Sequence, residues 1–233
     1  MRRTILLIKC GSADRAVVAR FGDYESWFIR GLGGDPSHFT VIAPQKGEPL
    51  PDPTRYAAVI ATGSTSSVTE RRPWMEATGA YLVQAGVKKV PVLAVCFGHQ
   101  LVAEALGVEV AKSPRGREFG TIDVELTADG QRDPLFKGLP ARIQVQSSHE
   151  DEAQILPAGA RLLAQNGHSA VQALAHGDFL RGVQFHPELS FDAVRAIGEA
   201  RRLPPKSFRA EDSPAGRSIL MNFYDHFVAP REG

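Results

Sequence analysis

Cysteine is scarce: the chain has two thiols, Cys10 and Cys96, among 233 residues. Two thiols so far apart in sequence make no disulfide framework, and a reducing, cytoplasmic setting is the expectation. An excess of charge of either sign is also missing. The formal net charge is +1, so there is no electrostatic argument for binding nucleic acid or an anionic membrane. No apolar run reaches the length of a membrane-spanning helix. The opening "MRRTILLIKC" is basic and then apolar. Its apolar run is too short for a signal peptide, and a small-residue cleavage site is lacking. Cys-x-x-Cys and His-x-x-x-His spacings are absent, so no metal is expected. Gly-x-Gly-x-x-Gly and Walker-type loops are absent as well, so no nucleotide cofactor is expected. No internal repeat or low-complexity segment occurs.

What is present is a hydrophobic fraction of 43%, enough for a substantial core. In the first half it is arranged as apolar strands alternating with helical patterns. Residues 4–9, 39–44, 57–67 and 90–96 read as strands. Residues 15–33, 72–86 and 98–107 read as helices, Pro73 suiting a first turn. That alternation predicts a doubly wound, mostly parallel sheet with helices on both faces. The second half changes character. Residues 120–127, 141–149, 160–166, 169–177 and 180–188 are short, closely spaced strand patterns. They predict antiparallel strands added to the main sheet. Helices are expected at 191–202 and 218–229, with a polar loop at 203–217 between them, ordered or closing over a site as a lid. No composition shift marks a boundary, so one domain over 1–233 is expected.

The stretch "VPVLAVCFGHQLVAEALG" (90–107) places Cys96 where a strand turns into a helix. A free cysteine there is commonly part of the core. The same turn is also where an α/β sheet exposes a nucleophile at the carboxyl ends of its strands. Unpaired N–H groups and the positive end of the following helix favour a thiolate, and Gly98 gives the turn room. A thiol nucleophile needs a base, and the base an orienting group. His99 belongs on a helix surface, His168 and His176 in turns, and His38 and His226 have no chemical company. His186 differs: it ends the strand in "GVQFHPELS" with Glu188 two residues on. In extended backbone the two share a face. Taken alone, His-Pro-Glu is an ordinary strand exit. With the cysteine turn upstream, it supplies a base and its orienting carboxylate. Small residues after the 57–67 strand let Gly63 bring a backbone N–H close to a substrate, with the N–H of Phe97 as a second oxyanion donor. Alone, that stretch is a plain Gly/Ser turn.

The order of parts is Gly63, "CFGHQ" (96–100), "SSHED" (147–151) and "HPE" (186–188). It resembles the class I glutamine amidotransferases of the Cys-His-Glu type. "GVQFHPE" in particular is similar to the amidotransferase half of GMP synthase. The resemblance spans roughly residues 4–190 and implies a flavodoxin-like sheet. It also implies hydrolysis of a γ-carboxamide, glutamine to glutamate and ammonia, through a γ-glutamyl thioester. Carried over, Cys96 is the nucleophile, His186 the general base and acid, and Glu188 its orienter. Gly63 and Phe97 form the oxyanion hole, and Gln100 with Ser148 and His149 helps to hold the glutamyl group. This chain departs from the family pattern at Ala94, where glycine is usual, and at Thr62 and Ser64, where Gly-Pro is common.

The chain has no Ser-Gly-Gly-x-Asp-Ser loop, so any ammonia-consuming synthetase is expected on a separate chain. "ARFGDYESWFIRGLG", "CFGHQ" and "SPRGREFG" are similar to free-standing members that include γ-glutamyl peptidases. That resemblance makes glutathione or its conjugates the alternative substrate, with Tyr24 beside the nucleophile and Trp27 in the core. A further alternative is a partner-dependent subunit with little activity alone. Deglycase-type proteins share the cysteine elbow but lack the downstream His-Pro-Glu, and rank below these.

Overall fold

The structure is a computed structural model, and it describes residues 3–229. Strand β1 (Ile5–Ile8) is buried along its whole length, as a strand covered on both faces must be. The apolar pattern over 15–33 forms two helices, α1 (Arg15–Phe21) and α2 (Tyr24–Gly31), where one was expected. Gly22 takes φ 81°, which ends α1. Asp23 then starts α2: its Oδ1 accepts from the N–H groups of Ala13 and Tyr24, both at 2.9 Å. Lys9 Nζ lies 2.7 Å from Asp23 Oδ2. Burial alone would raise the Asp23 carboxyl, but the Lys9 hydrogen bond and the backbone donors hold it below its ordinary value.

Next come β2 (Phe39–Ile42), β3 (Ala58–Ala61), α3 (Pro73–Val87), β4 (Val92–Val95) and α4 (Phe97–Ala105). The second half holds β5 (Val110–Lys112), β6 (Glu118–Leu126), α5 (Ala128–Arg132), β7 (Arg142–His149) and β8 (Asp151–Ala153). It ends with β9 (Ala160–Gln165), β10 (Ala173–His176), β11 (Leu180–Val183), α6 (Phe191–Ala200) and α7 (Pro214–Phe223). Helix α7 begins at Pro214, inside the segment expected as loop, because proline fits a first helical turn. It runs on through a π-helical turn, Tyr224–Val228. Strands β5 and β8 and helix α5 are too short to leave a periodic signature.

One nine-stranded sheet has the order β2-β1-β3-β4-β11-β10-β9-β6-β7. The first five strands pair in parallel and the rest antiparallel. The parallel half follows the flavodoxin-like order, with β11 as its fifth strand. Alternate residues of β1 feed opposite cores. Ile5 and Leu7 pack with Phe28, Ile219 and Phe223. Leu6 and Ile8 pack with Met75, Leu82 and Leu101. Strands β5 and β8 form a small second sheet. The loop before α7 is tied to β6: Thr121 N–H donates to Arg209 O at 2.8 Å, and Glu211 N–H to Thr121 Oγ1 at 2.9 Å. Among the described residues no helix is long and apolar enough to cross a membrane.

Candidate active site

Cys96 follows the last residue of β4 and is the residue from which α4 starts. Its backbone sits at φ 50° and ψ −100°, a region that residues other than glycine rarely occupy. The turn is this sharp because α4 doubles back against β3. A Cβ on Gly98 would stand 2.8 Å from Ala61 Cβ and 2.9 Å from Ala61 O, so only glycine lets the helix begin there. Ala94 is fully buried in β4 and pairs with Gly182 of β11. The family's usual glycine is therefore replaced without breaking the ladder.

His186 lies beyond the end of β11, which stops at Val183 and not near residue 188 as expected. It makes an isolated antiparallel bridge to Gln146 of β7, its N–H donating to Gln146 O at 2.7 Å. Glu188 reaches it from a turn after Pro187, not along an extended strand. The reach is nonetheless close: His186 Nδ1 and Glu188 Oε1 are 2.7 Å apart, and both side chains are buried. Burial pulls the imidazole toward neutrality. The Glu188 charge, with the charge and hydrogen bond of Cys96, outweighs it and raises the imidazole to about 10. The ring is boxed in. A Cβ at Gly63 would meet His186 Cε1 at 2.8 Å and Tyr24 Cε1 at 3.1 Å. The Tyr24 ring lies 17° from parallel to the imidazole, with centroids 6.3 Å apart. Trp27 packs edge-on against Tyr24 and donates from Nε1 to Phe21 O, as a core residue should.

Cys96, Phe97, Gln100, Ser148 and His149 line one cleft of about 530 Å³. Gly63, His186 and Glu188 are not among its lining residues, and Glu188 lines a separate pocket with Trp27 and Pro187. Thr62, in the place of a family glycine, accepts from Cys10 N–H at 3.0 Å and donates to Gly63 O at 2.9 Å. Its hydroxyl thus braces the Gly63 peptide. Gln100 spends its amide N–H groups on Asp151 O at 2.7 Å and Gln184 Oε1 at 3.2 Å. Ser148 Oγ accepts from Arg201 Nη1 at 2.8 Å. His149 lies between Glu118 Oε2, 2.9 Å from its Nε2, and Asp151 O, 3.0 Å from its Nδ1. Glu118 also accepts from Gln172 at 2.7 Å and Asn166 at 2.6 Å. Burial would raise the Glu118 carboxyl, but His149 and these amides hold it below its ordinary value.

His99 is not on a helix surface: it is fully buried. Its ring lies on the main sheet, where a Cβ on Gly182 of β11 would stand 2.7 Å from Nδ1, and burial, with His149 nearby, pushes the imidazole down to about 3. Three neighbours of the site went unread in the sequence. Gln184 Nε2 lies 3.7 Å from Cys96 Sγ; its place two residues before His186 was the available signal. Glu118 and Arg201 belong to other elements, and nothing local marks them. Among the described residues no three His, Cys, Asp or Glu side chains cluster as a metal would need.

The family model for glutamine amidotransferase class-I matches residues 52–194. A glutamine-hydrolyzing GMP synthase subunit from Saccharolobus solfataricus is 34% identical over 162 residues, 69% of this chain and 80% of that protein. The GMP synthase of Thermomicrobium roseum is 40% identical over 139 residues, 60% of this chain but 24% of that protein. The chain thus matches only about a quarter of the length of that full synthase. In structure, a glutamine amidotransferase from Thermotoga maritima superposes with a TM-score of 0.76 at 22% identity, over 98% of this chain and 100% of the other.

Proposed function

The chain belongs to the class I glutamine amidotransferase family, and we propose that it hydrolyses a γ-glutamyl amide with Cys96 as nucleophile. The observation that carries this reading is the Cys96 elbow facing a buried His186 held 2.7 Å from Glu188. A cationic imidazole is the counter-ion a thiolate needs. The Cys96 sulfur attacks the γ-carbonyl carbon, forming a C–S bond and an oxyanion. In this reading the N–H groups of Gly63 and Phe97 take up that charge. His186 gives its proton to the departing amine, the C–N bond breaks, and ammonia leaves a γ-glutamyl thioester. His186 then takes a proton from water, the hydroxide adds to the thioester, and the C–S bond breaks to release glutamate and the thiolate. Glu188 fixes the ring and offsets its charge throughout. The whole of 1–233 acts as one unit in this reading, since strands from both halves deliver residues to one cleft.

Two observations favour variants of this reading. The cleft, at about 530 Å³, falls in the range that takes a drug-sized ligand. That room admits a γ-glutamyl peptide such as glutathione as an alternative substrate. The S. solfataricus relative is named as one subunit of a synthase, which favours a separate synthetase chain as acceptor of the ammonia, with little activity in its absence. The deciding experiment is glutamate release by the purified chain on glutamine and on glutathione in parallel, with Cys96→Ala as the blank. Release from glutamine supports the amidotransferase, and release mainly from glutathione the peptidase. No release from either, alone or with a candidate synthetase, refutes the chemistry.

A further inference from the structure

The segment that follows β3 reads TGSTSS over residues 62–67. It has no proline and no large apolar side chain to fix its course, and its glycine is free to take many backbone conformations. Hydroxyls hold it instead. Thr62 is fully buried. Its Oγ1 both accepts, from Cys10 N–H at 3.0 Å, and donates, to Gly63 O at 2.9 Å. Thr62 N–H donates to Ile8 O at 3.0 Å. Backbone and side chain together therefore tie the end of β3 to the end of β1. Further along, Ser64 Oγ accepts from Ser66 N–H at 3.1 Å, and Thr65 Oγ1 donates to Ser12 O at 3.4 Å. Water competes for those two bonds, because Ser64 is half-buried and Thr65 exposed. It does not reach the Thr62 pair.

We propose that Thr62 is a positioning residue for amide hydrolysis: its hydroxyl holds the backbone of Gly63 in one conformation, and so fixes the place of the Gly63 N–H relative to Cys96. The inference rests on the γ-glutamyl reading, in which that N–H takes up the oxyanion charge. The bond from Thr62 Oγ1 to Gly63 O closes a short ring across the glycine and limits its dihedrals. Strand β3 lies between β1 and β4. Thr62 N–H points at β1, and N–H groups alternate in direction along a strand. The alternation carried one residue further aims the Gly63 N–H to the β4 side, where Cys96 follows Val95. An oxyanion donor acts over a window of about 2.7–3.1 Å, and an unbraced glycine samples conformations outside it.

The test compares Thr62→Val, which keeps the shape and removes the hydroxyl, with Thr62→Ser, which keeps the hydroxyl. Hydrogen–deuterium exchange of residues 62–67 reads the brace and needs no turnover. It should quicken roughly tenfold in the valine variant. Iodoacetamide reads the thiolate alone, because displacement of iodide forms the C–S bond without an oxyanion. Cys96 alkylation, located by mass spectrometry, should keep its wild-type rate. Cys10 does not compete, since burial pushes its thiol up to about 12. Glutamate release from glutamine and from glutathione reads the reaction. In the valine variant kcat should fall roughly tenfold, short of the ~100-fold or more that loss of a whole donor costs, with KM unmoved. Serine should restore it. Wild-type exchange in the valine variant refutes the brace. Faster exchange with unchanged kcat, Cys96 alkylation that falls in step with kcat, or a serine variant no better than valine refutes the positioning role. A wild-type chain that releases glutamate from neither substrate, alone or with a candidate synthetase, sinks the hydrolase reading and the positioning role with it, while exchange still decides the brace.

Discussion

Gly63→Ala is the change that asks most of the site. The added Cβ would stand 2.8 Å from His186 Cε1, about 0.6 Å inside ordinary van der Waals contact, which begins near 3.4 Å. The ring has little freedom to give way. Its Nδ1 is held 2.7 Å from Glu188, and its backbone N–H 2.7 Å from Gln146 O. On the other side the new methyl meets Tyr24 Cε1 at 3.1 Å. The imidazole must therefore shift by about half an ångström relative to Cys96. A misplacement of about 1 Å at a reacting group costs roughly 100-fold in rate, so a fall of about tenfold or more in kcat is expected. Overpacking should cost roughly 1–3 kcal/mol of stability. The Gly63 N–H survives the substitution, so the loss reads the position of His186 and not a missing oxyanion donor. The assay is steady-state glutamate release with a urea melt on the same samples. A folded Gly63→Ala protein with wild-type kcat would refute the account of how the ring is held.

Four further outcomes follow from the structure. Cys96→Ala should abolish turnover while the fold, followed by circular dichroism, is retained; full activity in that variant would remove the nucleophile from the mechanism. His186 is raised to about 10, and in the proposed mechanism its protonated form is the acid that releases the amine, so kcat/KM should fall as pH rises through that value. Glu188→Gln removes an anion that holds the proton on, and should move that alkaline limb to lower pH by roughly 1–3 units; a pH profile with an unmoved limb contradicts the pairing. Far from the cleft, Arg181 and Asp133 are both buried, with Arg181 Nε 2.9 and 3.0 Å from the Asp133 oxygens. Asp133→Ala should cost roughly 3–5 kcal/mol by stranding the guanidinium, read as a lowered urea midpoint with kcat unchanged.

Residues 90–107 and 184–188 made much of the candidate site legible in the sequence, because each places its residues within one local pattern. A strand-to-helix change of period marks the Cys96 elbow, and His186 and Glu188 are too close in sequence to be separated by folding. Local patterns failed where an interaction partner lies on another element. The split between α1 and α2 depends on Lys9 and Ala13 meeting Asp23, and periodicity over 15–33 cannot register it. Burial of His99 depends on β11 leaving Gly182 beneath its ring, where a Cβ would stand 2.7 Å from Nδ1, and that strand lies far along the chain from α4.

The alternation of apolar runs and helical stripes determined, without coordinates, that a parallel sheet would carry a thiol at the carboxyl end of one strand. Propensity and hydrophobic period act within a few residues, and that information is in the chain itself. The family resemblance had already put Ser148 and His149 with the ligand, and only the tertiary structure decided that Arg201 and Asp151 would line the same cleft. Those neighbours come from the antiparallel half, β8 and the end of α6. Their meeting is set by sheet order and by packing over long sequence separations, which no local spacing encodes.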